Sequence, residues 1–294
     1  MDRVMRDKKA IMIFVLPAFI VYCLIVLLPI LISTYYSLLD WNGISQGTFI
    51  GIQNYIKLFT GDPIFIKSLW NSILLAVLSV FIQLPISLIL ALVLASKVKG
   101  SRFYRTVYFI PVVMSTVVIG QLWMKIYHPS FGLLNDVLGS LGLDAWKREW
   151  LGSESTALGA AFVPIVWQYI GYHMLLMFAS AKSIPDDIYE AARIDGATGL
   201  KSALHITIPL IKPMLQVSVI FAVIGSLKTF DFIYVLTNGG PVHASEVPST
   251  WMFNNIFNQY LYGYGSAMAI MIILECLLFT VIIQKMFKTE QITY

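Results

Sequence analysis

Few side chains in this 294-residue chain are placed to do covalent chemistry, and most of those lie inside apolar runs. The two cysteines, Cys23 and Cys276, both sit in such runs, so a structural disulfide between them is not expected. No Cys/His cluster has metal-ligand spacing. The stretch Gly196-Ala-Thr-Gly199-Leu-Lys201-Ser202 has the outline of a phosphate loop. A working loop needs Gly directly before Lys and a strand ahead of it, and here Leu200 holds that position with no strand before it. Without a nucleophile–base pair, a metal set or a cofactor loop, an enzyme reading is disfavoured.

The remaining candidates are polar residues embedded in apolar sequence, where they are expensive and point to function by default. Ser226, Lys228, Thr229 and Asp231 fall close together. Lys228 and Asp231 are three apart, which on one helix places them on one face, able either to pair or to line a water-filled path. Hydrogen-bonding groups beside flat aromatic surface suit a solute that has both polar groups and apolar faces. Trp167, Tyr172, Ser226 and Thr229 supply that mix. Glu275 stands alone in another apolar run and reads as a neutral acid hydrogen-bonded to a neighbouring helix. His173 reads as packed between helices.

The elements that carry these residues follow from composition. The chain is 58% hydrophobic and 12% charged, with a mean hydropathy of +0.77. Soluble domains carry about 25% charged residues. A water-soluble globule could not hide this much apolar surface, so lipid is the expected solvent. A spanning helix needs about 20 mostly apolar residues. Candidate spans are 11–38, 69–95, 105–127, 157–181, 209–236 and 265–286. The fold class is therefore all-α and membrane-integral with about six transmembrane helices. The first run is too long for a cleaved signal and lacks a small-residue cleavage site, so it reads as a retained helix. Several Trp residues fall near span ends, as interfacial aromatics do.

The net charge of +4 would suggest nucleic acid in a soluble protein. Here the basic residues cluster between the apolar runs, which is a topology signal; no nucleic-acid partner is expected. With the N-terminus inside, fourteen Lys and Arg fall on inner segments, among them Arg3, Arg6, Lys8, Lys9, Lys97, Lys182, Arg193 and Lys288. Four fall outside: Lys57, Lys67, Lys147 and Arg148. This bias predicts that both termini are cytoplasmic.

The inner segment from Ser183 to Pro209 is the most informative. Ser183 is a fitting N-cap, Pro185 suits a first helical turn, and Asp186 and Asp187 suit the positive helix end. Gly196 ends that helix and permits a turn. Thr198 can cap a second short helix running toward Pro209. The product is a helical hairpin on the cytoplasmic face. Ala191, Ala192 and Ala197 keep it slim enough for another protein to approach, and Glu190, Arg193 and Asp195 give it polar handles.

Glu190-Ala191-Ala192, then Gly196, Ile206, Ile208 and Pro209, has the spacing of the EAA loop of ABC importer permeases. Ile208 stands where that family usually has Leu. Phe109-Ile-Pro-Val-Val, Phe131-Gly-Leu-Leu-Asn135, Trp167-Gln-Tyr-Ile-Gly171 and Tyr234-Val-Leu-Thr-Asn-Gly-Gly-Pro241 resemble the carbohydrate-uptake branch of the same family. The resemblance covers nearly the whole chain and implies one permease domain, 1–294, of the type I ABC importer fold in a bacterial or archaeal cytoplasmic membrane. It implies that loop 183–205, through Glu190, Ala191, Ala192, Asp195, Gly196 and Ala197, couples to a cytoplasmic ABC ATPase dimer. A homologous second permease and an extracytoplasmic solute-binding protein are the other implied partners. ATP and Mg are then used by the ATPase, with no cofactor on this chain. The resemblance also brings Thr116, with Trp167, Tyr172, Ser226 and Thr229, to positions that bind sugar in the larger maltose permease; Asp231 completes the expected substrate path. The rival reading is a secondary transporter with Glu275 or Asp231 as its proton carrier.

Overall fold

A computed structural model describes residues 8–96 and 98–287, leaving out the side chains of 8–11. Arg3, Arg6, Lys97 and Lys288 and the side chains of Lys8 and Lys9, part of the expected inner charge, lie outside that description. The chain forms two compact units, residues 1–63 with 252–273 and residues 64–251 with 274–294.

The first unit contains helix α1 (Met12–Tyr36), whose most apolar window has no residue buried in the chain. A two-rung antiparallel ladder follows, pairing β1 (Leu39–Asp40) with β2 (Thr48–Phe49). Helix α2 (Gln53–Thr60) is tied to it by Asn54, whose amide donates to the carbonyls of Ser37 and Leu39, both at 2.9 Å.

The second unit is built on α3 (Pro63–Ala95), α4 (Ser101–Val113), α5 (Thr116–Ile126) and α6 (Leu133–Ser140). The long helix α7 (Ala157–Lys182) is followed by two short helices, α8 (Asp186–Ile194) and α9 (200–210). Helices α10 (Lys212–Leu227), α11 (Asp231–Leu236) and α12 (Pro248–Phe253) come next, and α13 (Tyr262–Met286) runs through both units. Five helical stretches are long and apolar enough to cross a membrane, six if the bent pair α4–α5 is counted as one. One core joins Leu75 of α3, Ile119 of α5, Ile165 of α7 and Ile233 of α11. A second joins Leu84 and Ala91 of α3 to Met174 and Phe178 of α7 and Ala222 of α10.

Proline shapes these helices in a repeated way. Pro29, Pro85 and Pro209 are each preceded by a π-helical turn, at Cys23–Leu27, Ser79–Gln83 and Ala203–Thr207. Proline brings no N–H and its ring presses on the carbonyl four residues back. The turn widens to relieve that contact. In each case the residue before the proline donates five residues back: Leu28 to Cys23, Leu84 to Ser79, Ile208 to Ala203.

Two of the expected spans are not single helices. The run 105–127 is α4 and α5, which meet at 96° with Met114 and Ser115 extended between them. The run 209–236 is α10 and α11, interrupted at Lys228–Phe230. Glycine lets the pieces close up. A Cβ on Gly171 of α7 would collide with the Tyr108 carbonyl of α4, and one on Gly120 of α5 would stand 2.7 Å from Val235 of α11.

Candidate functional site

The loop after α7 is a hairpin, with caps that differ from expectation. Ser183 ends α7 and starts nothing: its N–H donates to Ala179 O at 3.1 Å and its hydroxyl to Ser180 O at 2.8 Å. The residue before a proline is pushed out of the helical region, so the chain restarts only after Pro185, which caps α8 with φ −58° and ψ 140°. Asp186 and Asp187 then occupy the first turn, where the helix dipole favours them. At the far end the Gly196 N–H donates to Arg193 O at 3.1 Å and the Ala197 N–H to Ala192 O at 2.8 Å. With Gly196 at φ +78° this is a Schellman ending. Gly199, not Thr198, caps α9, at φ +54°.

The hairpin is rooted in the spans. Ile184 and Ile211 are buried with Ala181, and Tyr189 OH meets Thr207 Oγ1 at 3.2 Å to join its two arms. Helical periodicity divides α8 into two faces. Asp186, Tyr189 and Arg193 line a hollow between hairpin and spans. Glu190, Ala191 and Ile194 are exposed, as are Asp195 and Gly196 at the turn. Of the three alanines expected to meet a partner, Ala191 is open, Ala197 is half-buried and Ala192 is buried. Sequence reasoning missed the apolar tip: Ile194 is 88% and Leu200 is 74% exposed. Two large aliphatic residues flanking a polar turn were the available signal.

The substrate-path candidates converge on the break between α10 and α11. A cavity of about 410 Å³ opens there, lined by Thr116, Tyr172, Ser226, Thr229 and Asp231 among others. Irregular backbone at such depth is tolerated where it lines a cavity. Lys228 closes the C-terminus of α10 and Asp231 opens the N-terminus of α11, each at the helix end whose partial charge suits it. Of the two readings open for these residues, pairing on one helical face is not what forms. The helix stops between them, and among the described residues no ion pair joins them.

Ser226 lines the cavity, yet its hydroxyl is already engaged. It donates to Ala222 O at 2.9 Å and meets Ser79 Oγ of α3 at 2.9 Å, so it joins helices. Trp167 lies outside the cavity, packed edge-on to Trp123 at 6.1 Å and 68°. Five residues on a 3.6-residue helix turn the face by about 140°, so Trp167 and Tyr172 could not share one. Tyr169 and His173 share the face of Tyr172 and line the cavity, with Gln83 and Lys228. That stripe in α7 was visible in the sequence as Tyr169, Tyr172 and His173 at helical spacing. His173 is buried edge-on against Tyr172, its Nδ1 without a hydrogen bond. Glu275 faces Ser72, whose hydroxyl goes to Leu69 O at 2.8 Å, and neither Glu275 oxygen makes a hydrogen bond.

On the segment between α11 and α12, Glu246 is buried. It receives Thr250 Oγ1 at 2.6 Å and pairs with His243 Nδ1 at 2.8 Å. Asn71 of α3 donates to the carbonyls of Ala244 and Glu246, at 3.0 and 2.8 Å. The Thr-Asn-Gly-Gly-Pro motif thus sits in a loop fixed to α3. Among the described residues no group of three His, Cys, Asp or Glu could hold a metal.

Comparison with known proteins is consistent along the chain. Residues 83–289 match the model of a family described as the binding-protein-dependent transport system inner membrane component. The chain is 42% identical to the "Probable ABC transporter permease protein YurN" of Bacillus subtilis, over 97% of this chain and 98% of that one. It is 34% identical to the trehalose/maltose transport system permease protein MalF of Thermococcus litoralis, over 95% and 94%. It is 33% identical to the diacetylchitobiose uptake system permease protein NgcF of Streptomyces coelicolor, over 90% and 78%. A crystal structure of a bacterial alginate ABC transporter, in complex with its pentasaccharide-bound periplasmic protein, contains a chain of the same fold. The TM-score is 0.83 at 22% identity, over 98% of this chain and 96% of that one.

Proposed function

This chain belongs to the binding-protein-dependent transport system inner membrane component family, and from that premise we propose that it forms half of the membrane pathway of an ATP-driven sugar importer. The observation that carries this reading is the convergence of Thr116, Tyr172, Thr229 and Asp231 on one cavity at a broken helix. A hydroxyl-rich solute needs several donors and acceptors at once, and a helix break supplies free backbone groups beside those side chains. Tyr172 adds ring surface, 6.4 Å from the ring of Phe221. Relatives named for trehalose/maltose and diacetylchitobiose support a sugar as cargo.

The hairpin supports the coupling role. Glu190, Asp195 and Gly196, with the apolar tip Ile194 and Leu200, form the surface offered to a cytoplasmic ABC ATPase dimer. ATP and Mg are used there and not on this chain. A homologous second permease supplies the other half of the pathway, and an extracytoplasmic binding protein delivers the sugar. Both termini and the hairpin lie in the cytoplasm, in a bacterial or archaeal inner membrane.

The test is reconstitution. The chain is purified with the proteins that accompany it and placed in liposomes. Maltodextrin or chitooligosaccharide uptake is then followed with the binding protein outside. Uptake that requires internal ATP and a co-purifying ATPase is expected. Uptake that persists without ATP and collapses with an uncoupler would replace this reading with an ion-gradient transporter.

A further inference from the structure

The hollow behind the hairpin, unlike its outer face, has no part in the coupling just proposed. It measures about 310 Å³, at the lower end of the range, roughly 300–1,000 Å³, in which small ligands are held. One wall is apolar and belongs to the ends of the spans: Leu92 and Ala95 of α3 and Ala181 of α7. The lining also includes Lys182, at the end of α7, and Arg193, Thr198 and Ser202 of the hairpin. Among the described residues neither Lys182 nor Arg193 has an ion-pair partner, and the hydroxyls of Thr198 and Ser202 hold no hydrogen bond. Asp186, the one acid in the lining, leaves an excess of one positive charge. Arg193 lines the hollow with Asp186 and Tyr189, and its side chain is accessible there.

We propose that this hollow binds a phosphate group, and that its source is the headgroup of an anionic phospholipid of the cytoplasmic leaflet. Lys182 and Arg193 meet the phosphate oxygens, Arg193 through the planar fork that suits two of them at once. Thr198 and Ser202 donate to the remaining oxygens or to the glycerol. Leu92 and Ala95 receive the first carbons of the acyl chains. Basic pockets at the cytoplasmic ends of transmembrane helices suit anionic headgroups on these grounds. The occupant would brace α8 against α3 and α7, so the lipid becomes part of the platform that holds the coupling hairpin. The inference rests on the cytoplasmic placement of that hairpin.

The experiment uses the assembled importer, with its ATPase, in nanodiscs of phosphatidylcholine alone or mixed equally with phosphatidylglycerol. Native mass spectrometry of the released complex counts retained phosphatidylglycerol. Wild type is expected to retain it, and the double variant Lys182→Gln/Arg193→Gln to retain roughly tenfold less. The charge-keeping Lys182→Arg is expected to behave as wild type. ATPase co-purification, measured on every sample, reports separately on the coupling reading. If the double variant fails to assemble, the single variants Lys182→Gln and Arg193→Gln are compared instead. A parallel arm adds inorganic phosphate to the complex in phosphatidylcholine. A rise in melting temperature in wild type but not in the variant, without lipid retention, would keep the phosphate site and overturn the lipid as its source. Equal lipid retention in wild type and variants, with no effect of phosphate, would overturn the proposal while leaving the permease reading intact.

Discussion

The N–H of Ala197 donates to the carbonyl of Ala192 at 2.8 Å, wrapping the end of α8 around Gly196. The wrap requires φ +78° at Gly196 and leaves open space where a Cβ would stand. The penalty for a side chain there is conformational rather than steric, about 1 kcal/mol or somewhat more. Gly196→Asp adds a carboxylate to the surface proposed to meet the ATPase. The chain should still reach the membrane while ATPase co-purification and uptake fall together. Glu190→Lys, which reverses an exposed charge on the same surface, should do the same. Full ATPase recovery and normal uptake in both variants would reduce the hairpin to an ordinary loop.

Gly171 answers to a different constraint. It lies where α4 crosses α7, under the carbonyl of Tyr108. Even one methyl group must push the two helices apart. Gly171→Ala should destabilise the folded chain by about 1–3 kcal/mol, as overpacking does in tight cores. The readout is the melting temperature in detergent, with Gly159→Ala as control because nothing stands near that position. Equal melting temperatures for the two variants would show that α4 moves aside freely.

What the sequence made legible follows from what it encodes locally. The existence of the spans was readable because apolar length is a local property, and so was the hairpin turn, because glycine marks a positive φ. The breaks were not. Lys228 and Asp231 looked like one helical face because spacing alone cannot say where a helix stops; the capping of two helix ends by two charges is seen only once the chain is built. The bend at Met114–Ser115 was hidden for the same reason, the run 105–127 being apolar throughout. Ser183 and Thr198 were assigned caps by residue type, but Pro185 and Gly199 decided by backbone geometry. The cavity gathers Thr116, Tyr172, Ser226, Thr229 and Asp231 but not Trp167; Tyr169 and His173 were readable as neighbours of Tyr172 at helical spacing, while Gln83 enters from α3 by helix packing that no motif announces.

Topology rests on charge counts and is open to direct test. Val242 is 72% exposed on the loop before α12, and Thr198 is exposed on the hairpin. In a Cys23→Ser/Cys276→Ser background, Val242→Cys should react with an impermeant maleimide added outside intact cells. Thr198→Cys should react only after the membrane is opened. Labelling of both from the same side would overturn the assignment of inner and outer faces.

Glu275 separates the permease reading from its rival. Its two oxygens are buried without hydrogen bonds, and a buried carboxylate in lipid is far costlier than the neutral acid. Gln has nearly the same shape and keeps a polar end without the charge. Glu275→Gln should therefore transport at close to the wild-type rate and keep its ATPase. A variant that assembles fully yet loses uptake, and whose wild-type counterpart is uncoupler-sensitive at constant ATP, would make this residue a proton carrier.

Tyr172 and Trp167 give the sharpest test of the substrate path because the helix sends them to different surroundings. Tyr172 lines the cavity at the break, with Thr229 and Asp231 around it. Trp167 packs on Trp123 and is 40% exposed. Tyr172→Ala removes a ring face and a hydroxyl from the path and leaves the backbone as it was. It should raise the sugar concentration for half-maximal uptake, or lower the maximal rate, by roughly tenfold, in line with about 1–2 kcal/mol of lost contact. Trp167→Ala opens a gap beside Trp123 and should act on stability, with the concentration dependence unchanged. Both variants are compared at equal amounts of assembled complex, which removes differences in yield. If Trp167→Ala shifts the concentration dependence and Tyr172→Ala does not, the path follows the opposite face of α7 and the cavity at the broken helix is not its centre.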